Sequence, residues 1–485
     1  MDRFKSWNKI KVGNDLHITA HPDLTITTVK NDDLELALLG FMFDSRNYKS
    51  TNSNILNEII KHNSTFDDII KATSRYAGRW ILIFTNNIEA KLLHDPGGLR
   101  QVFYTNYDSN TWCSAQPHIL AELLNIQETN NSDLKEFQNS KQYSLSENCW
   151  IGNSTIYQDI YHLYPNHYLN LRNCSFSRYW PNKNLEDLSI DKVTTQSSNI
   201  LTELIKAASF RHKIAQTITA GWDTRLLLAA SKSIKNDIYY YVHQFSNMDD
   251  EHEDIFIPNE LSLQHNLKIN IIDCTEYNLE FDKINKNNIS IIQSEKKKLQ
   301  HYNYFSQFDN KLLISGNVSP LIKEQLPKVD KVTALNLARL LHLHNSKYAV
   351  REISKWLEKS INYSKKYKID IEKLFYWEIR FGSWGPMFNS ELDIAVEEFS
   401  PYNCRDLINV MLSIPIHYRT KPNVTIYSRV ISNLWPELLD IPINPNTGNI
   451  IMKKNHEILH TLMRFLKKIG LYKIVRFFYR KLILK

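Results

Sequence analysis

Apolar positions follow two different patterns along this chain. The first part carries runs of strand length. Arg79–Thr85 (RWILIFT), Glu89–Asp95 (EAKLLHD) and Gln101–Asn106 (QVFYTN) are continuous or alternating, as strands with a buried face are. Asp95, Pro96, Gly97 and Gly98 supply turn chemistry between the last two. Asn54–Asn63 and Gln116–Asn125, the latter with Pro117 near its first turn, predict helices. The polar passage Pro181–Lys192 reads as a linker. Beyond it the pattern changes: a helical run at Thr202–Ser209, an apolar strand from Ile214, and a leucine-rich helix after Gly221. Then come a strand at Asp237–Phe245, a helix over Ile255–Asn266 with Pro258 near its first turn, and a strand at Lys268–Asp273. Strands alternating with helices and few hairpin signals predict a parallel sheet flanked by helices. From about Lys328 the pattern is mostly helical.

Composition narrows this without redirecting it. The chain has 485 residues, 42% hydrophobic and 23% charged, a globular composition with room for about 2–4 domains. No run of about 18 apolar residues occurs, and the start, MDRFKSWNKIKV, has no apolar signal-peptide core. Five scattered cysteines argue for a reducing compartment and against a metal cluster. The expectation is a cytoplasmic protein. The net charge of +7 is concentrated: Ile451–Lys485 holds seven Lys and three Arg against one Glu, so the other 450 residues sum to −2. The basicity therefore belongs to the tail and gives no reason to expect a nucleic-acid partner.

The chemistry concentrates at Thr219-Ala220-Gly221-Trp222-Asp223-Thr224-Arg225, where a strand hands over to a helix. Such a turn presents free backbone N–H groups and the positive end of a helix dipole to an anion. Gly221 lets a ligand approach the backbone, and the Thr219 and Thr224 hydroxyls add donors. Asp223 repels a phosphate unless a magnesium ion stands between them. The competing reading is a helix N-cap at Asp223 or Thr224. No G-x-x-x-x-G-K-[ST] and no G-x-G-x-x-G occurs.

TAGWDTR resembles the pyrophosphate-binding loop of the asparagine synthetase family, Ser-Gly-Gly-x-Asp-Ser, with Thr219, Ala220, Gly221, Asp223 and Thr224 at the matching places. GRWILIF, KLLHDPGGLRQVFY and CSAQPHIL resemble the late part of that family's glutamine-amidotransferase domain. IYQDIYHLYPNHYLNLRNCSFSRYWP resembles its joining segment, and EEFSPYNCRDLINVMLSIP the stretch after its catalytic pocket. The likeness runs in order from Gly78 to about Pro445. It implies an α/β and α+β chain: an N-terminal Ntn-hydrolase-like β-rich sandwich domain (1–182), a parallel-sheet α/β ATP-pyrophosphatase domain with a helical C-terminal part (190–450), and a basic tail (451–485). It also implies ATP and Mg2+ as cofactors. ATP would bind at Thr219, Ala220, Gly221, Asp223, Thr224 and Arg225 together with Ser315, Gly316 and Asn317, with the metal on Asp223.

The chain departs from the family in two places. Glutamine-using members carry a nucleophilic cysteine after the initiator Met, where this chain has Asp2, and its first cysteine is Cys113. A carboxylate is a poor nucleophile toward an amide, so a glutaminase fold without its reaction is expected. The second signature, Ser-Gly-Glu-Gly with acids for magnesium, becomes Ser315, Gly316, Asn317 and then Pro320; Glu324 is either a substitute acid or, as favoured, a solvated surface residue. The resemblance places the acceptor-pocket acid at Glu397 or Glu398, and a transition-state cation among Arg419, Lys421 and Arg429, with Lys421 retained for the catalytic set. The aromatic run Phe375–Phe388 contains Glu378 and Arg380, read first as an ion pair. His456–His460 (HEILH) matches a zinc-protease helix but has no further ligand downstream, so no zinc site is expected.

The implied reaction is ATP-dependent amide formation. A substrate carboxylate is activated as an acyl-adenylate and captured by an amine or ammonia, without glutamine. Relatives lacking the cysteine include β-lactam-forming synthetases, lasso-peptide cyclases and enzymes that amidate sugar acids in surface-polysaccharide assembly. The tail mixes Leu, Phe, Ile and Tyr with Lys and Arg. It suits either an anionic membrane surface on the inner face or packing on its own domain. The alternative to an enzyme is a membrane-associated scaffold that keeps the fold without turnover.

Overall fold

The computed structural model describes residues 4–289, 291–422 and 424–445. Asp2, the HEILH segment and the basic tail lie outside the described residues. Among the described residues no helix is long and apolar enough to cross a membrane.

The N-terminal part is built on period-two alternation. Leu34–Asp44 and Tyr76–Asn86 pair antiparallel over their whole length, with Ala37 opposite Ile83 and Leu38 opposite Leu82. They are adjacent inner strands of a six-stranded antiparallel sheet. Odd and even positions face different layers. Leu36, Leu38, Leu82 and Phe84 meet the helices Asn52–His62 and Phe66–Thr73. Ala37, Ile83 and Leu92 meet a second β layer that includes Val12 of the Asn8–Ala20 hairpin and Tyr104. Thr51 and Thr65 cap the two helices through their hydroxyls.

The later part is a five-stranded parallel sheet in the spatial order Ile269–Cys274, Ile238–Phe245, Lys213–Thr217, Lys311–Ile314, Glu398–Phe399. The first strand in the chain is central; the next two lie to one side and the last two to the other. The strand order thus reverses between Lys213–Thr217 and Lys311–Ile314, and ligands of open α/β sheets bind outside the carboxyl ends at such a switch point. The sheet and helices expected from the sequence are present, together with the strands Lys311–Ile314 and Glu398–Phe399, which are too short for a periodic signal. Pro258 sits inside the helix Glu253–His265, one turn later than expected.

The two parts share a core. Phe41, Phe43 and Ala77 of the antiparallel sheet pack in one apolar cluster with Val193, Leu204 and Ala208 of the helix Ile190–Arg211. At that helix's end Arg211 donates to the Met42 carbonyl (2.6 Å) and to Asn52 Oδ1 (2.9 Å).

Candidate active site

The strand Lys213–Thr217 ends in a turn, and the helix Trp222–Ala230 starts with Gly221 as its N-cap. The N–H groups of Trp222, Asp223 and Thr224 form the first turn and have no acceptor within the helix. The rest of the turn is tied internally. Thr219 N–H donates to Thr224 Oγ1 (3.2 Å), Gly221 N–H to Thr219 Oγ1 (3.2 Å), and the two hydroxyls meet at 3.0 Å. The threonine hydroxyls therefore hold the turn's shape as well as offering donors. Ala220 N–H donates to Asp254 Oδ1 (2.9 Å), and the Ala220 carbonyl accepts from Asn444 N–H (2.9 Å). A Cβ on Gly221 would meet the protein only at ordinary contact, Thr219 Oγ1 at 3.4 Å and Asn444 Oδ1 at 3.5 Å. Among the described residues nothing else beyond its chain neighbours comes within 4 Å of that position.

Across the switch point, Lys311–Ile314 delivers Ser315-Gly316-Asn317 to the same place. A Cβ on Gly316 would lie 2.7 Å from Asp223 Cβ, so only glycine allows the two segments to touch this closely. Glu398, at the start of the neighbouring strand, completes the group. It accepts from Ser315 Oγ (2.8 Å) and from Asn317 Nδ2 (3.1 Å to each oxygen). Burial raises its pKa, opposed by the Ser315 hydrogen bond, the Arg79 charge and the Asn317 hydrogen bond.

A cation absent from the sequence reading sits at the centre. Lys323 Nζ is 2.6 Å from both oxygens of Asp223, and its side chain is only 8% exposed. Tyr402 donates to the Asp223 carbonyl (3.1 Å) and stacks on Tyr427, whose ring lies under Lys323 Nζ. Lys323 was missed because it stands in an apolar-flanked run, LIKEQLP, whose only apparent chemistry was Glu324. Glu324 is not a solvated surface residue: its carboxylate binds Arg419 Nη1 and lies 3.3 Å from Lys373 Nζ. Burial pushes the Lys373 ammonium down to about 8, against the pull of Glu324.

The other sequence candidates lie apart. Arg225 is fully buried and points away from the turn, donating to the carbonyls of Leu438 (2.7 Å), Ile441 (3.0 Å) and Pro442 (3.2 Å). Burial lowers its pKa to about 9. Glu397 faces the N-terminal part, bound to Arg100 Nη2 (2.6 Å) and Arg79 Nη1 (3.3 Å). Lys421 is exposed; its neighbour Pro422 accepts from the Trp222 indole (2.9 Å). Arg429 makes an exposed pair with Asp191 at 3.6 Å. Glu378 and Arg380 do not pair. Glu378 binds Arg178, Asn166 and Trp356, whereas Arg380 reaches Cys149 and Glu147, because residues two apart on a helix point to opposite sides.

As paired here, the Asp223 carboxylate does not fit a magnesium ion unless Lys323 gives way. The Asp223 carboxylate is ion-paired on both oxygens, Asn317 stands where an acid would serve, and Asp254 is held by a backbone N–H. Among the described residues no group of three or more His, Cys, Asp or Glu side chains could hold a metal ion. The helix-turn donors fit an anionic group.

No protein-family model matches the chain, and no curated protein matches it. Solved structures do. The NH3-dependent NAD synthetase from Campylobacter jejuni is 16% identical, covering 39% of this chain and 92% of that one, with a TM-score of 0.21. The glutamine-dependent NAD+ synthetase from Acinetobacter baumannii, complexed with ADP, is 9% identical, covering 60% and 77%, TM-score 0.21. The glutamine phosphoribosylpyrophosphate amidotransferase from B. subtilis is 10% identical; the match covers 68% of this chain and 62% of that one, TM-score 0.21. At these values the likenesses carry no argument about activity.

Proposed function

We propose that this chain is an ATP-dependent amide-forming ligase. The observation that carries the reading is the juxtaposition at the switch point. A glycine backbone at a helix N-terminus, Lys323 and the Ser315–Asn317–Glu398 group come from three adjacent parallel strands, and the strand order reverses between the first two. The first-turn N–H groups bind phosphate oxygens of ATP. An oxygen of the substrate carboxylate attacks the α-phosphorus and pyrophosphate leaves. An amine or ammonia then attacks the acyl carbon of the adenylate, and AMP leaves with the acyl C–O bond broken. Ser315, Asn317 and Glu398 sit beside the turn and orient the acceptor. The sequence resemblance supports this reaction class, and Asp2 in place of a cysteine supports a nitrogen source other than glutamine.

Pyrophosphate exchange into ATP, run over a panel of small carboxylates and sugar acids with and without a divalent cation, tests the proposal. Exchange that Asp223→Asn lowers ~10²-fold or more supports it; exchange unchanged in that variant reduces Asp223 to a helix-end residue. The acceptor we propose is a lipid-linked sugar acid, on the strength of the basic, apolar tail. Salt-sensitive sedimentation with phosphatidylglycerol vesicles, lost on deleting residues 456–485, is the result expected. A second reading, a scaffold without turnover, is favoured by the occupied Asp223 carboxylate and by Asn317; substrate-dependent exchange rules it out.

A further inference from the structure

The Asp223–Lys323 pair is built rather than incidental. Two of the three N–H groups of the ammonium are accounted for, among the described residues, by the Asp223 oxygens. Lys323 is buried while Asp223 is 30% exposed, so the pair opens outward on the side of the helix turn. The lysine's backbone is fixed from several directions. Its carbonyl accepts Lys373 Nζ (2.7 Å), its N–H donates to the Ser319 carbonyl (3.3 Å), and the next N–H, of Glu324, donates to the Arg419 carbonyl (3.2 Å). Gly316 closes the opposite side of Asp223. A lysine anchored in this way delivers its charge to one point without a large loss of side-chain freedom on binding.

We infer that Lys323 is the resident cation of this site: its ammonium takes the place on Asp223 that a divalent ion would occupy and offers its remaining N–H to a di- or triphosphate bound at the helix turn. The inference rests on the proposed nucleotide site for its ligand, but not for its cation. A lysine brings its cation on its own side chain and needs no vacant coordination positions, whereas magnesium keeps an octahedral shell and binds through carboxylates and phosphates together. The chemistry predicts polyphosphate binding that does not require a divalent ion at Asp223 and that weakens with salt.

Two measurements test this on the full chain. In the first, Mn2+ is titrated without nucleotide and followed by electron paramagnetic resonance. The wild type is expected to hold no Mn2+ that Asp223→Asn removes; one bound Mn2+ that disappears in Asp223→Asn overturns the inference. In the second, ATP binding is measured calorimetrically in EDTA. The expected result is binding in EDTA that Lys323→Met weakens tenfold or more and that Lys323→Arg largely retains, with melting curves confirming that both variants fold. ATP binding that demands a divalent ion and is unchanged in Lys323→Met overturns it. If ATP binds under neither condition, the proposed ligase fails, and the Mn2+ result alone decides the role of Lys323.

Discussion

Alanine at Gly316 and alanine at Gly221 separate a glycine required by the protein from one reserved for a ligand. Gly316 does not have a positive φ, so alanine there meets no backbone strain and the whole effect comes from contact. Its new methyl would stand 2.7 Å from Asp223 Cβ. Carbon atoms rest at about 3.5–4.0 Å, so one segment must retreat by roughly 1 Å. The atom it meets is not the free end of a flexible side chain, and Asp223 is held by Lys323 on one side and Tyr402 on the other. Overpacking of this kind costs about 1–3 kcal/mol, and a 1 Å displacement of a binding group costs ~10²-fold in rate. At Gly221 the nearest contacts would be 3.4 and 3.5 Å, so alanine lowers stability by only about 1 kcal/mol, the N-cap preference. The same methyl would stand where the proposed nucleotide site brings a phosphate to the turn. Chemical denaturation and ATP calorimetry on both variants are the assay. Gly316→Ala should lose stability and binding together; Gly221→Ala should lose binding with stability nearly kept. Equal destabilisation in both, or wild-type binding by Gly221→Ala, refutes the reasoning.

Three further outcomes are expected. Arg225→Lys should lower stability by about 2–4 kcal/mol in urea melts, because the shorter side chain ends in a single nitrogen that does not span the carbonyls reached by the two guanidinium nitrogens and leaves buried acceptors unpaired; a change below about 0.5 kcal/mol means the carbonyls find other donors. Burial raises the Glu391 carboxyl to about 8, with the Gln293 N–H and Lys297 opposing, and with His301 4.0 Å away. The folded protein thus holds a proton that the unfolded chain has released between pH ~4.5 and ~8, and stability contributed by this group falls as pH rises through that window. Glu391→Gln should flatten that fall and be the more stable form above pH 8; parallel stability–pH curves for the two proteins would show that Glu391 ionises freely. Finally, on the resemblance to the asparagine synthetase family, which sets Asp2 against a nucleophilic cysteine, purified protein should release no glutamate from glutamine above a protein-free blank.

The sequence by itself determined the layers. Alternation in RWILIFT and apolar runs broken by helical stretches after Lys192 are local properties, dictated by which faces must leave water, and the sheets follow from them. The turn at Gly221 was legible too, because a strand-to-helix handover with small and hydroxyl residues is a local signal. What tertiary structure decided is which side chains meet there. Glu397 and Glu398 are adjacent in sequence, but successive residues of an extended chain point to opposite sides, so one binds Arg79 and Arg100 while the other joins Ser315 and Asn317. Arg225, one residue after Thr224, lies on the inward face of its helix and is claimed by carbonyls more than two hundred positions away. Lys323 lies a hundred residues from Asp223, with nothing beside it in the chain to mark it as a ligand. Its role exists only because the reversal of strand order sets one turn against another, and the missing methyl of Gly316 lets them touch.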